Sequence, residues 1–408
     1  MKMLDPKIFG PEASNFKAFL EKRMMKQKMA IDRVVKAYNL SLSPIRNIHP
    51  QPIFAGFFTG PSGTGKTFLA ELISEYFYGR RDAFIKIDCS NYSQEHELAQ
   101  LIGSPPGYVG YYDKNDPEKR GTPPMLSQEN LDKYFIEEKV VKTKRYKELL
   151  SRQNEINADI EKAKEWGKAY YQDHVKERED KLQSDLIKFW TEIFYDKNGL
   201  RTKPISIILL DEIDKAHQTL HNFLLPVLDS GTTTLKNNDP VSFLASFIIM
   251  TSNAGSRELA KKNHIGFISQ PADRSQNERF LIAQKELEKM FRPEFRGRIK
   301  ENIVYFEDLD AKDLMAILEG QISDLMSQLA KNFPVIIAVP LIVKKYILEA
   351  ATDHPEYGAR MIKQKVDKFL RQPLANLIAS GQISVGDKIV VALRKDRDER
   401  QKIAFFKV

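Results

Sequence analysis

The chain has 408 residues, more than one ordinary domain, and its length suggests two or three compact units. Its 42% hydrophobic and 29% charged residues exclude wholesale disorder, no apolar run is long enough to cross a bilayer, and the single Cys89 excludes an intrachain disulfide or a cysteine-based zinc cluster. A reducing compartment, the cytoplasm, is the expected location, and the net charge of +8 would permit weak nucleic-acid binding but is a weak signal on which no function rests.

Residues 1–50 read as a polar, helical lead-in that ends at the turn-prone SLSPIRNIHPQP. Four short apolar runs follow, at residues 53–59, 83–87, 205–210 and 247–251, separated by helical stretches. Such runs predict strands buried on both faces of a parallel sheet, so the fold class is α/β, with a large domain over residues 51–308. Between residues 139 and 200 the chain nearly lacks Gly and Pro, and Leu149, Ile156, Ile160, Leu182, Leu186 and Ile193 recur at helical spacing among charges. This predicts a helical hairpin of two long helices, with its reversal near Trp166 and Gly167. Basic and acidic side chains nearly cancel there, which marks a solvated arm; a spacer and a docking role both stay open. After residue 309 the helical segments DAKDLMAILEGQISDLMSQLA and LIVKKYILEAA precede the alternating segments DKIVVAL and KIAFFKV. They predict a small α+β C-terminal domain over residues 309–408, with a charged hairpin loop near residues 396–400.

The strongest local signal is GFFTGPSGTGKT. Gly60, Gly63 and Gly65 allow backbone to wrap phosphates through a loop that also contains Pro61, Ser62 and Thr64, Lys66 supplies a cation, and Thr67 is able to hold Mg²⁺. The motif follows an apolar strand and opens a helix, whose unpaired N-terminal amides favour an anion. A second element, SIILLDEID, delivers Asp211 and Glu212 at the carboxyl end of a strand, where ligands gather in open α/β sheets. One carboxylate suits the metal and the other a water aimed at the γ-phosphate. In a third, FIIMTSNAGS, Asn253 at a strand tip is suited to orient the same water.

With these elements in order, the chain resembles the AAA+ ATPases, and specifically the second ATPase module of the Clp chaperones (ClpA, ClpB and ClpC). The segments GPSGTGKT, KIDCSNYS, LIGSPPGYVGY, ILLDEIDKAH, LLPVLDSG, IIMTSNAGS, FRPEFRGRI and YGAR follow that family's order. The resemblance implies a P-loop AAA+ parallel sheet flanked by helices, a small C-terminal lid domain, binding of ATP and Mg²⁺, and ATP hydrolysis in a homohexamer. It implies that Tyr108 and Val109 form an aromatic pore loop gripping unfolded or aggregated protein substrates, with Gly107 and Gly110 letting the loop swing. Arg298 matches the arginine finger offered to a neighbouring subunit, with Gly297 where the family has Asn. Arg360 matches the sensor arginine of the small domain. Ile8 and Phe9 match the adenine-contacting pair, with Pro11 in place of Gln. Ile265, Gly266 and Phe267 match a tripeptide that docks on a Clp peptidase. The chain is expected to be a single-ring form without the family's N-domain and first ring. The helical arm is expected to project away from the chemistry and to bind substrates, an adaptor or a ring neighbour. The expected function is an ATP-dependent unfoldase or remodelling chaperone, with a nucleic-acid-stimulated motor and an ATP-assembled scaffold ring as alternatives.

Overall fold

The computed structural model describes residues 8–43, 50–108, 111–112, 122–166, 175–194, 205–253, 281, 284–285, 287–352, 358–395 and 401–408. In chain order the elements are α1 (Pro11–Arg23), α2 (Lys28–Ser41), β1 (Phe54–Thr59), α3 (Lys66–Tyr78), β2 (Ile85–Asp88), α4 (Ala99–Ile102), α5 (Gln128–Phe135), α6 (Lys144–Trp166), α7 (Lys176–Phe194), β3 (Ser206–Asp211), α8 (Gln218–Ser230), β4 (Thr232–Thr234), β5 (Pro240–Ser242) and β6 (Ser246–Ser252). There follow α9 (Pro293–Ile299), β7 (Ile303–Tyr305), α10 (Ala311–Asn332), β8 (Ile336–Ala338), α11 (Leu341–Thr352), α12 (Ala359–Val366), α13 (Gln372–Ala379), β9 (Lys388–Lys395) and β10 (Gln401–Lys407).

The central sheet has the order β2-β3-β6-β1-β7, and each of the four apolar runs expected to be a strand is one. Strands β1, β3 and β6 bury nearly every side chain, as strands covered on both faces must. At one end of the order, β2 alternates buried Ile85 and Ile87 with exposed Lys86 and Asp88. The pairs β1–β7 and β2–β3 are parallel, with Phe58 opposite Val304 and Asp88 opposite Asp211. The sequence reading did not anticipate β7, because three residues are too few to show a period.

The chain divides into two compact units, residues 1–42, 56–72 and 250–408 in one and residues 43–55 and 73–249 in the other. In the first, α1 and α2 pack through an edge-to-face pair of Phe16 and Tyr38 with ring centroids 5.3 Å apart. Helix α10 begins at Asp310, whose carboxylate accepts from the amides of Lys312 and Asp313 while Asp313 accepts from the amide of Asp310, a reciprocal cap that fixes the start of the helix. A separate core of Leu318, Val343, Ile347, Ile362, Leu370 and Val391 forms behind it. There β8 pairs parallel and β10 antiparallel with β9, giving the expected α+β lid domain; residues 396–400 lie outside the described residues.

The second unit contains the expected helical arm. Leu149 and Ile156 on α6 meet Leu182 and Phe189 on α7, together with Val140 and Val175. The steps of seven residues within each helix are those of a coiled-coil seam. Ion pairs Arg145–Glu192, Arg152–Asp185 and Arg178–Asp159 fix the helices as antiparallel. Helix α6 ends at Trp166, where the sequence places the reversal; Gly167 lies outside the described residues. At the root, Ile136–Val141 is a π-helical continuation of α5, and Thr143 Oγ1 accepts the amide of Tyr146 at 3.3 Å as α6 starts.

Candidate nucleotide site

In the first unit the backbone leaves β1 and turns through Gly60, Gly63 and Gly65 at φ of 137°, 73° and 104°. L-residues rarely adopt these angles, which is why glycines recur here. A Cβ on Gly60 would stand 2.5 Å from the carbonyl oxygen of Phe306, and that segment is itself held where the Phe306 amide donates to Thr59 O at 2.7 Å. Lys66 opens α3 and is only 8% exposed. Its Nζ donates to the carbonyls of Gly60 and Pro61 at 2.6 and 2.8 Å and to Asn253 Oδ1 at 3.0 Å. The ammonium is thus inside the curl of the loop, and Asn253 from the tip of β6 is within hydrogen-bonding reach of it. Thr64 closes the loop on itself by donating to Pro61 O at 2.9 Å, while Thr67, one residue into α3, is half-buried.

Three further contacts hold this loop. Gln27, 3% exposed, donates through Nε2 to Thr64 O at 3.3 Å and to Glu307 O at 2.9 Å, and its Oε1 accepts the Glu307 amide at 2.9 Å. The adjacent Met24 sets its Cε 3.2 Å from where a Cβ on Gly65 would lie. Lys26, at φ 67°, donates to Asp308 O at 2.9 Å and pairs with Asp313 at 3.4 Å. On the other side the amide of Ala359 donates to Gly63 O at 3.1 Å. Gly358 makes this approach possible, since at φ +51° its Cβ would meet the carbonyl oxygens of Ser62 and Gly63 at 3.0 and 3.1 Å. Arg360 follows, exposed, in the first turn of α12.

The structure therefore brings together residues 60–67, Asn253 and the start of the helix bearing Arg360. Ile8 is 74% exposed ahead of α1, and Phe9 lies beneath Lys17 Nζ, 5.7 Å from the ring centroid. Met24 and Gln27 are the lead-in residues set against the loop, and the sequence reading missed both. Arg298 is exposed on α9, its Nη1 donating to Glu294 O at 2.7 Å. Nearby Arg296 is less exposed and lies 3.9 Å from Glu288. Position 297 opens onto free space, with nothing within 4 Å of a Cβ there.

In the second unit, Asp211 ends β3 and Glu212 follows in the left-handed region at φ 54°, a conformation rare for residues with a Cβ and frequent at functional turns. The Glu212 carboxylate accepts from Lys215. Behind this turn His221 is buried and hydrogen-bonded to Ile213 O at 3.0 Å; burial holds its imidazole below the ordinary value. Burial first, and then the charges of Asp211 and Asp88, push the Cys89 thiol far upward, so it stays protonated and unreactive. Tyr108 is 70% exposed in a turn where its amide donates to Pro105 O at 3.2 Å and Gly107 has φ 87°. Val109, Gly110, Ile265, Gly266 and Phe267 lie outside the described residues.

A family model described as the AAA domain (Cdc48 subfamily) matches residues 51–133 and 138–302. The chain belongs to this AAA family. Residues 309–391 match a second family described as the C-terminal, D2-small domain of ClpB protein, so this AAA chain carries the Clp type of small domain. It is 29% identical over 379 residues to the negative regulator of genetic competence ClpC/MecB of Bacillus subtilis (strain 168), covering 92% of this chain and 36% of that one. With the chaperone protein ClpB of Oceanobacillus iheyensis it shares 27% identity, over 93% of this chain and 37% of the relative. The AAA chain thus spans little more than a third of the length of these curated relatives. Its fold matches the closed-state cryoEM reconstruction of Hsp104:ATPyS and FITC casein, with a TM-score of 0.62 and 21% identity, over 97% of this chain and 52% of that one.

Proposed function

We propose that this AAA chain is the ATP-hydrolysing module of a protein unfoldase or remodelling chaperone, acting as a homohexameric ring on unfolded or aggregated polypeptide. The observation that carries the reading is the glycine loop curled around the buried ammonium of Lys66, with Asn253 and the amide of Ala359 hydrogen-bonded into the same unit. Loop amides and the N-terminus of α3 bind the phosphate chain of ATP, and Lys66 exchanges its carbonyl partners for phosphate oxygens. By the family resemblance Ile8 and Phe9 contact the adenine, and Met24 is a further apolar side chain set against the loop at Gly65.

Among the described residues no group of three or more His, Cys, Asp or Glu side chains converges on a metal-sized site. Mg²⁺ binds jointly to protein and phosphate oxygens, and by the family resemblance Thr67 and Asp211 would be its protein ligands. When bound, Mg²⁺ neutralises charge on the phosphate oxygens. Glu212 orients the attacking water, Asn253 fixes it from a second strand tip, and Arg360 follows the nucleotide from the small domain. Arg298, exposed on α9, acts on the nucleotide of the neighbouring subunit. Tyr108 and Val109 grip the polypeptide; attachment of a Clp peptidase through Ile265, Gly266 and Phe267, or of an adaptor, belongs to the same reading and rests on the family resemblance.

The test is ATPase activity across size-fractionated oligomers. Glu212→Gln is expected to keep ATP affinity while turnover falls about 10²- to 10⁴-fold. Arg298→Ala is expected to lose about 10³-fold in the assembled ring only. Purified protein without affinity for adenine nucleotides in the presence of Mg²⁺ overturns the proposal.

A further inference from the structure

The loop between β4 and β5 holds a polar side chain that the nucleotide chemistry does not use. Asn237 is 6% exposed, yet it sits in a stretch, LKNNDP, that reads as an ordinary solvated turn. Its Nδ2 donates to the carbonyl of Tyr112 at 3.1 Å and to the carboxylate of Asp239 at 2.9 Å, which uses both amide hydrogens. Its Oδ1 accepts the Asp239 amide at 3.4 Å. On its other side Asn237 packs on Gly103, where a Cβ would meet its Cγ and Oδ1 at 3.5 Å. The preceding residue, Lys236, donates its amide to Ile102 O at 2.9 Å.

Ile102 and Gly103 precede Tyr108 and Tyr112 follows it. One buried amide therefore touches the chain on each side of the exposed ring, and it does so from a different loop. Gly103, at φ 82°, ends α4 and turns the backbone into this segment, so the contact is made where the direction of the segment is set. On the far side Tyr112 Oη donates to Glu129 at 3.2 Å.

We propose that Asn237 is a positioning residue for polypeptide grip. It staples the two sides of the Tyr108 segment to the β4–β5 loop, so that the two loops meet a translocating chain as one body. This rests on the reading of Tyr108 as the gripping residue. A flexible tether would let Tyr108 yield under load; a staple transmits the load to the hairpin and the sheet behind it. Asn237→Asp keeps the shape but removes both donor hydrogens and sets a carboxylate against Asp239 and a carbonyl.

The test uses the full chain with a slowly hydrolysed ATP analogue, and fluorescein-labelled casein as probe. In Asn237→Asp, amide hydrogen exchange in residues 103–108 is expected to rise at least about fivefold while β6 stays protected; unchanged exchange overturns the staple. If protection of β6 is lost as well, Asn237→Ser replaces the variant and is judged by the same readout. Casein affinity is then measured for Asn237→Asp, Tyr108→Ala and the double variant. The expected result is that each single variant binds more weakly, and that the double variant binds no more weakly than Tyr108→Ala. Losses that multiply overturn action through Tyr108, since a merely structural role weakens binding equally in both backgrounds. Raised exchange with Tyr108→Ala binding casein as the parent does removes the gripping role of Tyr108, and with it the function assigned to the staple.

Discussion

The replacement Gly358→Ala tests whether docking of the small domain on the phosphate loop is part of nucleotide binding. Gly358 has φ 51° and ψ −139°, outside the left-handed helical well, and holding an L-residue there costs roughly 1–3 kcal/mol. The new methyl also stands 3.0 Å from Ser62 O and 3.1 Å from Gly63 O, both backbone atoms of a loop that has little room to move. The alternative is to release the Ala359 amide from Gly63 O, which gives up a hydrogen bond worth about 1 kcal/mol and frees Arg360 from its place beside the loop. By either route the docked arrangement loses roughly 1–3 kcal/mol, a factor of about 5 to 150 in its population, and ATP affinity weakens by up to that factor. Calorimetric titration with Mg²⁺ and a slowly hydrolysed ATP analogue measures it. Gly381→Ala is the control: it is at φ +72° with nothing within 4 Å of its Cβ, so it strains the backbone without touching the loop and leaves affinity unchanged. If Gly358→Ala binds nucleotide as tightly as the parent while its melting temperature falls like the control's, the small domain does not act through this contact.

Replacing Gln27 with Glu removes the donor shared by Thr64 O and Glu307 O and buries a carboxylate against two carbonyls; the expected outcome is a raised KM for ATP larger than any change in kcat, read from steady-state kinetics. His221, held below its ordinary value of 6.5 by burial, is neutral in both folded and unfolded chains well above that pH. Below it the unfolded chain takes up a proton more readily than the folded one, so stability falls with pH by at most about 1.4 kcal/mol per unit. Urea unfolding at about pH 7.5 and about pH 5.5 checks this, and His221→Gln is expected to flatten the difference. Deleting residues 139–200 removes a hairpin that carries its own core; nucleotide affinity is expected to persist while polypeptide or adaptor recruitment falls, and unchanged remodelling by the deletion variant refutes a docking role for the arm.

The elements legible in the sequence are those with enough residues to display a period. Strands β1, β3 and β6 stand out as unbroken apolar runs because they bury both faces. The arm is readable because Leu149, Ile156, Leu182 and Leu186 recur at helical spacing in a stretch that nearly lacks Gly and Pro. The phosphate loop is readable from its glycine spacing, its lysine and the strand and helix on either side. What escaped were contacts made by lone polar residues with partners far along the chain. Gln27 reaches a partner 280 positions away, and in MMKQK nothing distinguishes it from a solvated turn. The same holds for Asn237, whose partner lies 125 positions earlier. In the lead-in, Met24 is likewise set against Gly65, a contact that no short motif announces.

The root of the arm has a mechanical consequence. Gln128 on α5 accepts the amide of Ser242 at 3.0 Å and its neighbour Glu129 accepts from Tyr112, and α5 runs through Ile136–Val141 into the base of α6. Helix α6 has 23 residues and is therefore about 35 Å long, with α5 between its base and the two loops. Under the proposed function, load taken up by the arm would reach Tyr112 and Ser242 through this root.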